Sequence, residues 1–248
     1  MAAYRVPTHE INWQELIAPD HWRKYKCVLD RAVSEEVPFA LGGGLAVGVY
    51  TGKGRYTKDM DIYILPEHRE WAIDVVTQCG MQDYFDTKPY DRNWIYRAHD
   101  GEVIVDSIWA MANQRAEVDL GWLERGPEVD MFRQRFRVIP PEELIWSKLY
   151  VLQRDRCDWP DLINLIGATG ASLDWNHLLR RVEHDLPLMR GLLSVFSWVS
   201  PERAAEFPAW LWKKLEIAPA EKVEDPAGRP PRPDLLDTRP WFCETMAA

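Results

Sequence analysis

The segment Asp59-Met60-Asp61-Ile62-Tyr63-Ile64-Leu65 constrains this chain more than any other. Branched and aromatic residues in a run halted by Pro66 read as a strand. Its apolar end calls for burial, whereas its first residues are acids that call for water or a cation. The spacing therefore predicts a central strand with its wet end beside a cleft. Residues i and i+2 of a strand project from one face, roughly 7 Å apart. Two carboxylates held there repel each other, and burial raises the pKa of one unless a cation lies between them. Hard ions such as Mg²⁺ or Mn²⁺ favour oxygen ligands of this kind. An Asp-x-Asp pair on an exposed strand is more often a solvated face, so the surroundings decide.

Upstream, Phe39-Ala40-Leu41 reads as a strand that runs into Gly42-Gly43-Gly44. Leu45–Tyr50 is apolar enough for a short buried helix, broken by Thr51-Gly52-Lys53-Gly54. Backbone N–H groups at such a turn form an anion-binding nest, reinforced by the helix dipole. A phosphate chain could lie on Gly43 and Gly44 while its oxygens reach the metal; the commoner use of such glycines is a tight turn. A third acid, Asp106, is set in Val103-Ile104-Val105-Asp106-Ser107-Ile108, where it is costly unless paired or metal-bound. Asp100-Gly101 between Trp94–His99 and Glu102–Trp109 is a strong hairpin signal. A two-residue turn at Asp100-Gly101 would set Ile95 opposite Asp106 and leave the other edge free to pair with the Asp59 strand. Three acids from two strands could then serve two metals, one activating an attacking oxygen and one steadying a leaving pyrophosphate.

The remaining pattern frames this centre. His21–Val37 reads as an amphipathic helix between Pro19 and Pro38, and Glu67–Cys79 as a second helix with Gly80 as its C-cap. Strands, helices and hairpin in this order predict an α+β sheet domain over residues 1–138. Pro140-Pro141-Glu142-Glu143 starts a helix, with proline and acids in its first turn. Helical patterns follow over about Asp158–Gly167, Asp174–His184, Leu186–Val199 and Glu202–Leu215, giving a helical domain over residues 139–215. Residues 216–248 turn rich in proline and charge and read as an extended tail.

Composition trims the alternatives. With 30 basic against 39 acidic side chains the formal net charge is −9, which argues against a general nucleic-acid coater. Cys27, Cys79, Cys157 and Cys243 lie far apart without a CxxC pair, indicating neither a zinc knuckle nor a disulfide framework. The six histidines have no zinc spacing, and no GxSxG elbow is present. No secretory leader and no run of about 18 apolar residues is found, so the expectation is a soluble protein of the reducing cytoplasm without membrane contact. The 13 tryptophans, among them Trp146, Trp159, Trp198, Trp210 and Trp212 in helical segments, read chiefly as packing residues. Trp146 or Trp159 could instead stack on a base.

Leu41-Gly42-Gly43-Gly44-Leu45-Ala46 followed by Arg55-Tyr56-Thr57-Lys58-Asp59-Met60-Asp61-Ile62 resembles the signature of the polymerase-β-like nucleotidyltransferase superfamily. Asp106 stands where that family's third carboxylate is expected. The helix Pro141-Glu142-Glu143-Leu144-Ile145-Trp146-Ser147-Lys148-Leu149 and the turn Arg154-Asp155-Arg156-Cys157-Asp158-Trp159-Pro160-Asp161-Leu162 resemble one branch, the abortive-infection AbiEii-like nucleotidyltransferases, several of which are toxins. The resemblance covers roughly residues 35–167.

It implies a nucleotidyltransferase-type mixed sheet with flanking helices, followed by an α-helical C-terminal domain, with the site in the cleft between them. It implies an Mg²⁺- or Mn²⁺-dependent transfer of an NMP group from an NTP such as ATP to a hydroxyl or phosphate acceptor, with release of pyrophosphate. Gly43 and Gly44 would cradle phosphates, and Asp59, Asp61 and Asp106 would hold metal, Asp106 alternatively serving as general base. Lys148 would reach the triphosphate; otherwise it is a snorkelling lysine. Asp158 matches the acid after the lysine helix, or is a helix N-cap; Asp161 is the weaker candidate. Arg55 and Lys58 could touch phosphates. A small molecule, a protein or a tRNA end are all compatible acceptors, and a toxin of this branch would have an antitoxin partner. The competing readings are antibiotic-type nucleotidylation and a non-catalytic relative that binds nucleotide or a partner. Glycine at position 44 departs from the serine of many relatives, and Pro160 interrupts the last motif.

Overall fold

The structure, a computed structural model, describes residues 11–52, 57, 59–218 and 232. Arg55, Lys58 and nearly all of the 216–248 tail lie outside the described residues. The chain divides into two compact units, Met1–Leu144 and Ile145–Ala248, with the boundary inside the helix Pro141–Leu149.

The first unit opens with α1 (Trp13–Leu16), α2 (Pro19–Ser34), β1 (Phe39–Leu41) and α3 (Gly43–Thr51). Next come β2 (Asp59–Ile64), α4 (Arg69–Gln78), β3 (Gln82–Asp83), β4 (Ile95–Asp100) and β5 (Val103–Ile108). α5 (Leu120–Glu124), β6 (Glu128–Met131) and β7 (Gln134–Arg137) complete the unit. The five-stranded sheet has the order β1-β2-β5-β4-β3. β2 and β5 run parallel and the other neighbours antiparallel, so the sheet is mixed. Helices on both of its faces make the α+β class plain.

Alternation along β2 explains the layering. Met60, Ile62 and Ile64 are buried on one face, where α2 and α4 bring Tyr25, Leu29, Val75 and Val76 to the core. Asp59, Asp61 and Tyr63 point to the opposite face. There α3 and α5 pack on the β1–β2 side, and the Trp122 ring stacks on Tyr63 at 5.5 Å.

Three expectations are corrected. α2 begins at Pro19, whose fixed φ suits the first helical position, and ends at Ser34 ahead of Pro38. Cys27 and Cys79 form a disulfide, because α2 and the end of α4 bring residues 52 apart in sequence to a Cα separation of 6.0 Å. Sequence spacing cannot show such an approach. The hairpin turn is Gly101-Glu102 rather than Asp100-Gly101, since Asp100 pairs with Val103. Gly101 has φ +60° at the first turn position, the glycine-first pattern of a type II′ turn. Ile95 therefore faces Ile108, and Arg97 faces Asp106.

In the second unit, α6 (Pro141–Leu149) crosses from the first and is followed by α7 (Trp159–Thr169), α8 (Trp175–Val182) and α9 (Leu186–Val199). The pattern over Glu202–Leu215 resolves into α10 (Pro201–Ala204) and α11 (Ala209–Leu215). Pro208 explains the break, having no N–H to donate and disfavouring helix at the preceding residue. Phe207 stacks between Phe196 and Trp212 at 5.2 and 5.9 Å, tying both pieces into the helical core. Trp146, Trp175 and Trp212 are buried, whereas Trp210 is exposed. Among the described residues no helix is long and apolar enough to cross a membrane.

Candidate active site

The sheet register assembles the acids. Asp61 of β2 stands opposite Asp106 of β5, and Asp106 stands opposite Arg97 of β4. Neighbouring strands lie about 4.8 Å apart and directly paired residues share a face. Carboxylate, carboxylate and guanidinium thus sit abreast, with Asp59 two residues from Asp61 on the same face. Asp106 is 1% exposed, and Arg97 grips it with a fork: Nε donates to Oδ1 at 2.7 Å and Nη2 to Oδ2 at 2.5 Å. That hydrogen-bonded pair, opposed by burial, raises the Arg97 pKa well above its ordinary value, and the charges of Asp59 and Asp61 push the same way. The cation that Asp106 required is therefore supplied by the protein. Among the described residues, no group of three His, Cys, Asp or Glu is placed to hold a metal ion as it stands.

The glycines form the other wall. Gly42 donates its N–H to the Asp61 carbonyl at 3.0 Å, locking the start of α3 onto β2. Gly43 has φ +54°, and a Cβ there would overlap the Asp61 carboxylate. The backbone at Gly43 and a carboxylate oxygen of Asp61 can approach this closely only because position 43 lacks a side chain. Gly44 differs: a Cβ there would meet Thr57 Oγ1 at 3.6 Å, an ordinary contact. The first N–H groups of α3 have no partner within the helix, and Gly43 places the start of that helix beside Asp61.

Two contributors are not visible in the sequence pattern. Thr57 is buried, and its hydroxyl reaches both the carbonyl and Oδ1 of Asp59 at 2.9 Å, orienting that carboxylate. Arg97 escapes notice because its place depends on the hairpin register. The alternation of Arg97 and His99 with Tyr96 and Ala98 is its only trace.

In the second unit, Lys148, Asp158 and Asp161 come together. Lys148 Nζ donates to Asp158 Oδ2 at 2.7 Å and to Asp161 Oδ2 at 3.0 Å, and all three residues are buried. Arg156 Nε adds a 3.2 Å bond to Asp158 Oδ1. Burial works to raise the Asp158 pKa, but Lys148 and Arg156 outweigh it and hold the carboxyl below its ordinary range. Asp158 occupies the N-cap of α7 without a capping side-chain bond, its oxygens being turned to the cations. Two of the three donors of Lys148 are thereby taken. The Trp146 ring lies 5.2 Å from the Arg181 guanidinium, and Trp159 Nε1 donates to the Leu149 carbonyl at 3.1 Å.

A mixed sheet whose central parallel pair carries three acids, entered by a glycine turn and helix, defines a nucleotidyltransferase-type unit. The family described as "Nucleotidyl transferase of unknown function (DUF2204)" matches residues 21–188, and the chain belongs to that family. No curated protein matches the sequence. Among solved structures it is similar to the lincosamide antibiotic adenylyltransferase LnuA bound to lincomycin: 17% identity, TM-score 0.43, covering 60% of this chain and 94% of that one. An antigenic nucleotidyltransferase-like protein from Paracoccidioides brasiliensis is 18% identical with TM-score 0.43, over 73% of this chain and 94% of its own. JHP933 from Helicobacter pylori is 14% identical with TM-score 0.41, over 84% and 95%.

Proposed function

We propose that the chain is an Mg²⁺-dependent nucleotidyltransferase that moves an NMP group from an NTP to a hydroxyl or phosphate oxygen of an acceptor, releasing pyrophosphate. The observation that carries this reading is the contact of Gly43 with Asp61, which sets the start of a helix against an acid pair. Phosphate oxygens on the first-turn N–H groups of α3 would lie beside Asp59 and Asp61. Those two carboxylates, half-exposed on one face with Asp59 oriented by Thr57, suit a hard divalent ion. When bound, that ion would offset negative charge on the phosphates. The acceptor oxygen attacks the α-phosphorus, the bond to the pyrophosphate oxygen breaks, and the acceptor proton leaves to a base or water. Holding the reactants in line supplies much of the acceleration.

Within the superfamily, the helix carrying Lys148 and the turn Arg154–Leu162 support the AbiEii-like branch, and with it a toxin activity checked by an antitoxin partner. The formal charge of −9 favours a small or locally docked acceptor over a large RNA. The test is calorimetric titration of Mg·NTP into wild type and into the Asp59→Ala/Asp61→Ala double variant. Wild type should bind, and the variant should bind at least about tenfold more weakly, the worth of one charge-assisted contact. Equal binding would remove the metal assignment. Labelled NTP with lysate then identifies the acceptor by what becomes labelled.

A further inference from the structure

We propose that Arg97 is a resident cation of the acidic site, so that the site takes one divalent ion, on Asp59 and Asp61, and Asp106 ligates none. The inference rests on the nucleotidyltransferase reading and narrows it.

The register puts Arg97 and Asp61 on opposite flanks of Asp106, on three adjacent strands. Asp106 is buried, and each of its oxygens accepts from a different guanidinium nitrogen. Such a planar two-bond pairing is specific to arginine and holds both partners in one geometry. The guanidinium also lies 5.8 Å from the centre of the Tyr84 ring, at the outer reach of a cation–π contact. The strand beneath it is pinned as well: the Arg97 N–H donates to the Tyr90 hydroxyl at 2.9 Å, and that hydroxyl reaches Asp83 Oδ1 at 3.1 Å. Asp83 in turn pairs with Arg92, which covers the Phe85 ring at 4.2 Å. Residues 83–92 thus fasten the backbone of Arg97 and set the Tyr84 ring near its guanidinium.

A second dication at Asp106 would have to share its oxygens with this fork, on the lone pairs that the guanidinium leaves. It would also sit beside a permanent positive charge, which repels it. Arg97 acts through Asp106 and is a positioning residue: it neutralises the inner acid and leaves the metal to the outer pair, Asp59 and Asp61.

The experiment counts Mn²⁺ bound per chain by equilibrium dialysis of the full chain against Mn²⁺ and α,β-methylene ATP, so that ion held by free nucleotide stands equally on both sides and cancels. Wild type should hold one Mn²⁺. Arg97→Gln, shown folded by circular dichroism, should gain a second on the released Asp106, and Arg97→Lys, which keeps the charge, should return to one. Asp106→Asn should keep the single site within about threefold in affinity, and this variant decides the question should Arg97→Gln not fold. Two Mn²⁺ in wild type, no gain in a folded Arg97→Gln, or loss of the site in Asp106→Asn overturns the inference while leaving the nucleotidyltransferase reading intact. No Mn²⁺ bound to wild type overturns both.

Discussion

Alanine substitution at the glycines separates two physical costs that the sequence leaves superimposed. Gly101 and Gly43 both have left-handed backbones, at φ +60° and +54°. A Cβ at Gly101 would meet nothing within 4 Å, so Gly101→Ala isolates the backbone cost, about 1–2 kcal/mol. Gly43→Ala carries the same cost and also drives a methyl group into the Asp61 carboxylate, which Gly42 fastens from behind through the Asp61 carbonyl. Relieving such overpacking costs a further 1–3 kcal/mol or so, giving about 2–5 kcal/mol in all. Gly44→Ala meets only an ordinary contact with Thr57, sits in the first turn of α3, and should be neutral or stabilising by up to about 1 kcal/mol. For a chain of this size each kcal/mol moves the midpoint by about 2–4 °C. Thermal melting should therefore rank Gly44→Ala at or above wild type, Gly101→Ala a few degrees below, and Gly43→Ala lower still, on the order of 10 °C down. Mg·NTP binding should fall in Gly43→Ala, because the carboxylate must move, and survive in Gly101→Ala. If Gly43→Ala melts within about 2 °C of Gly101→Ala, the close approach to Asp61 is absent and the phosphate cradle loses its support.

The helical unit offers two further tests. Lys148→Met removes the buried ammonium that Asp158 and Asp161 share, leaving Arg156 beside Asp158. The expected loss is about 3–5 kcal/mol in urea denaturation; under about 1 kcal/mol would mean that the lysine is held elsewhere. The Asp158 carboxyl is depressed in the folded chain, so its contribution to stability is present above the ordinary carboxylate range and fades as pH falls through the lower folded value. Wild type should accordingly lose stability on acidification below about pH 4, and Asp158→Asn should show a shallower slope there.

Much of the frame is legible in the sequence because it is local. Apolar runs ending at Pro66 or in the glycines of residues 42–44 mark β1, α3 and β2, and period-3.6 stripes with prolines mark α2, α7 and α9. The hairpin β6–β7 goes unread because strands of four residues carry too little alternation to stand out. The Cys27–Cys79 bond, the carbonyl contact of Gly42 and the hydroxyl of Thr57 depend on tertiary approach, which no spacing encodes. The split of the last helical pattern is readable in Pro208.

At Asp106 legibility stops at a specific physical step. An acid among branched apolar residues states a demand for positive charge, and that much is sequence. Which group meets the demand depends on whether the turn is Asp100-Gly101 or Gly101-Glu102. Either choice keeps the same residues on each face, because the two registers differ by two in their pairing. Hydrophobic patterning therefore cannot distinguish them; it senses only slips that exchange faces. The backbone can, because Gly101 at the first turn position takes the left-handed φ that the two-residue turn requires. The partner of the buried acid then changes from Ile95 to Arg97, and a guanidinium on the neighbouring strand meets its demand for positive charge.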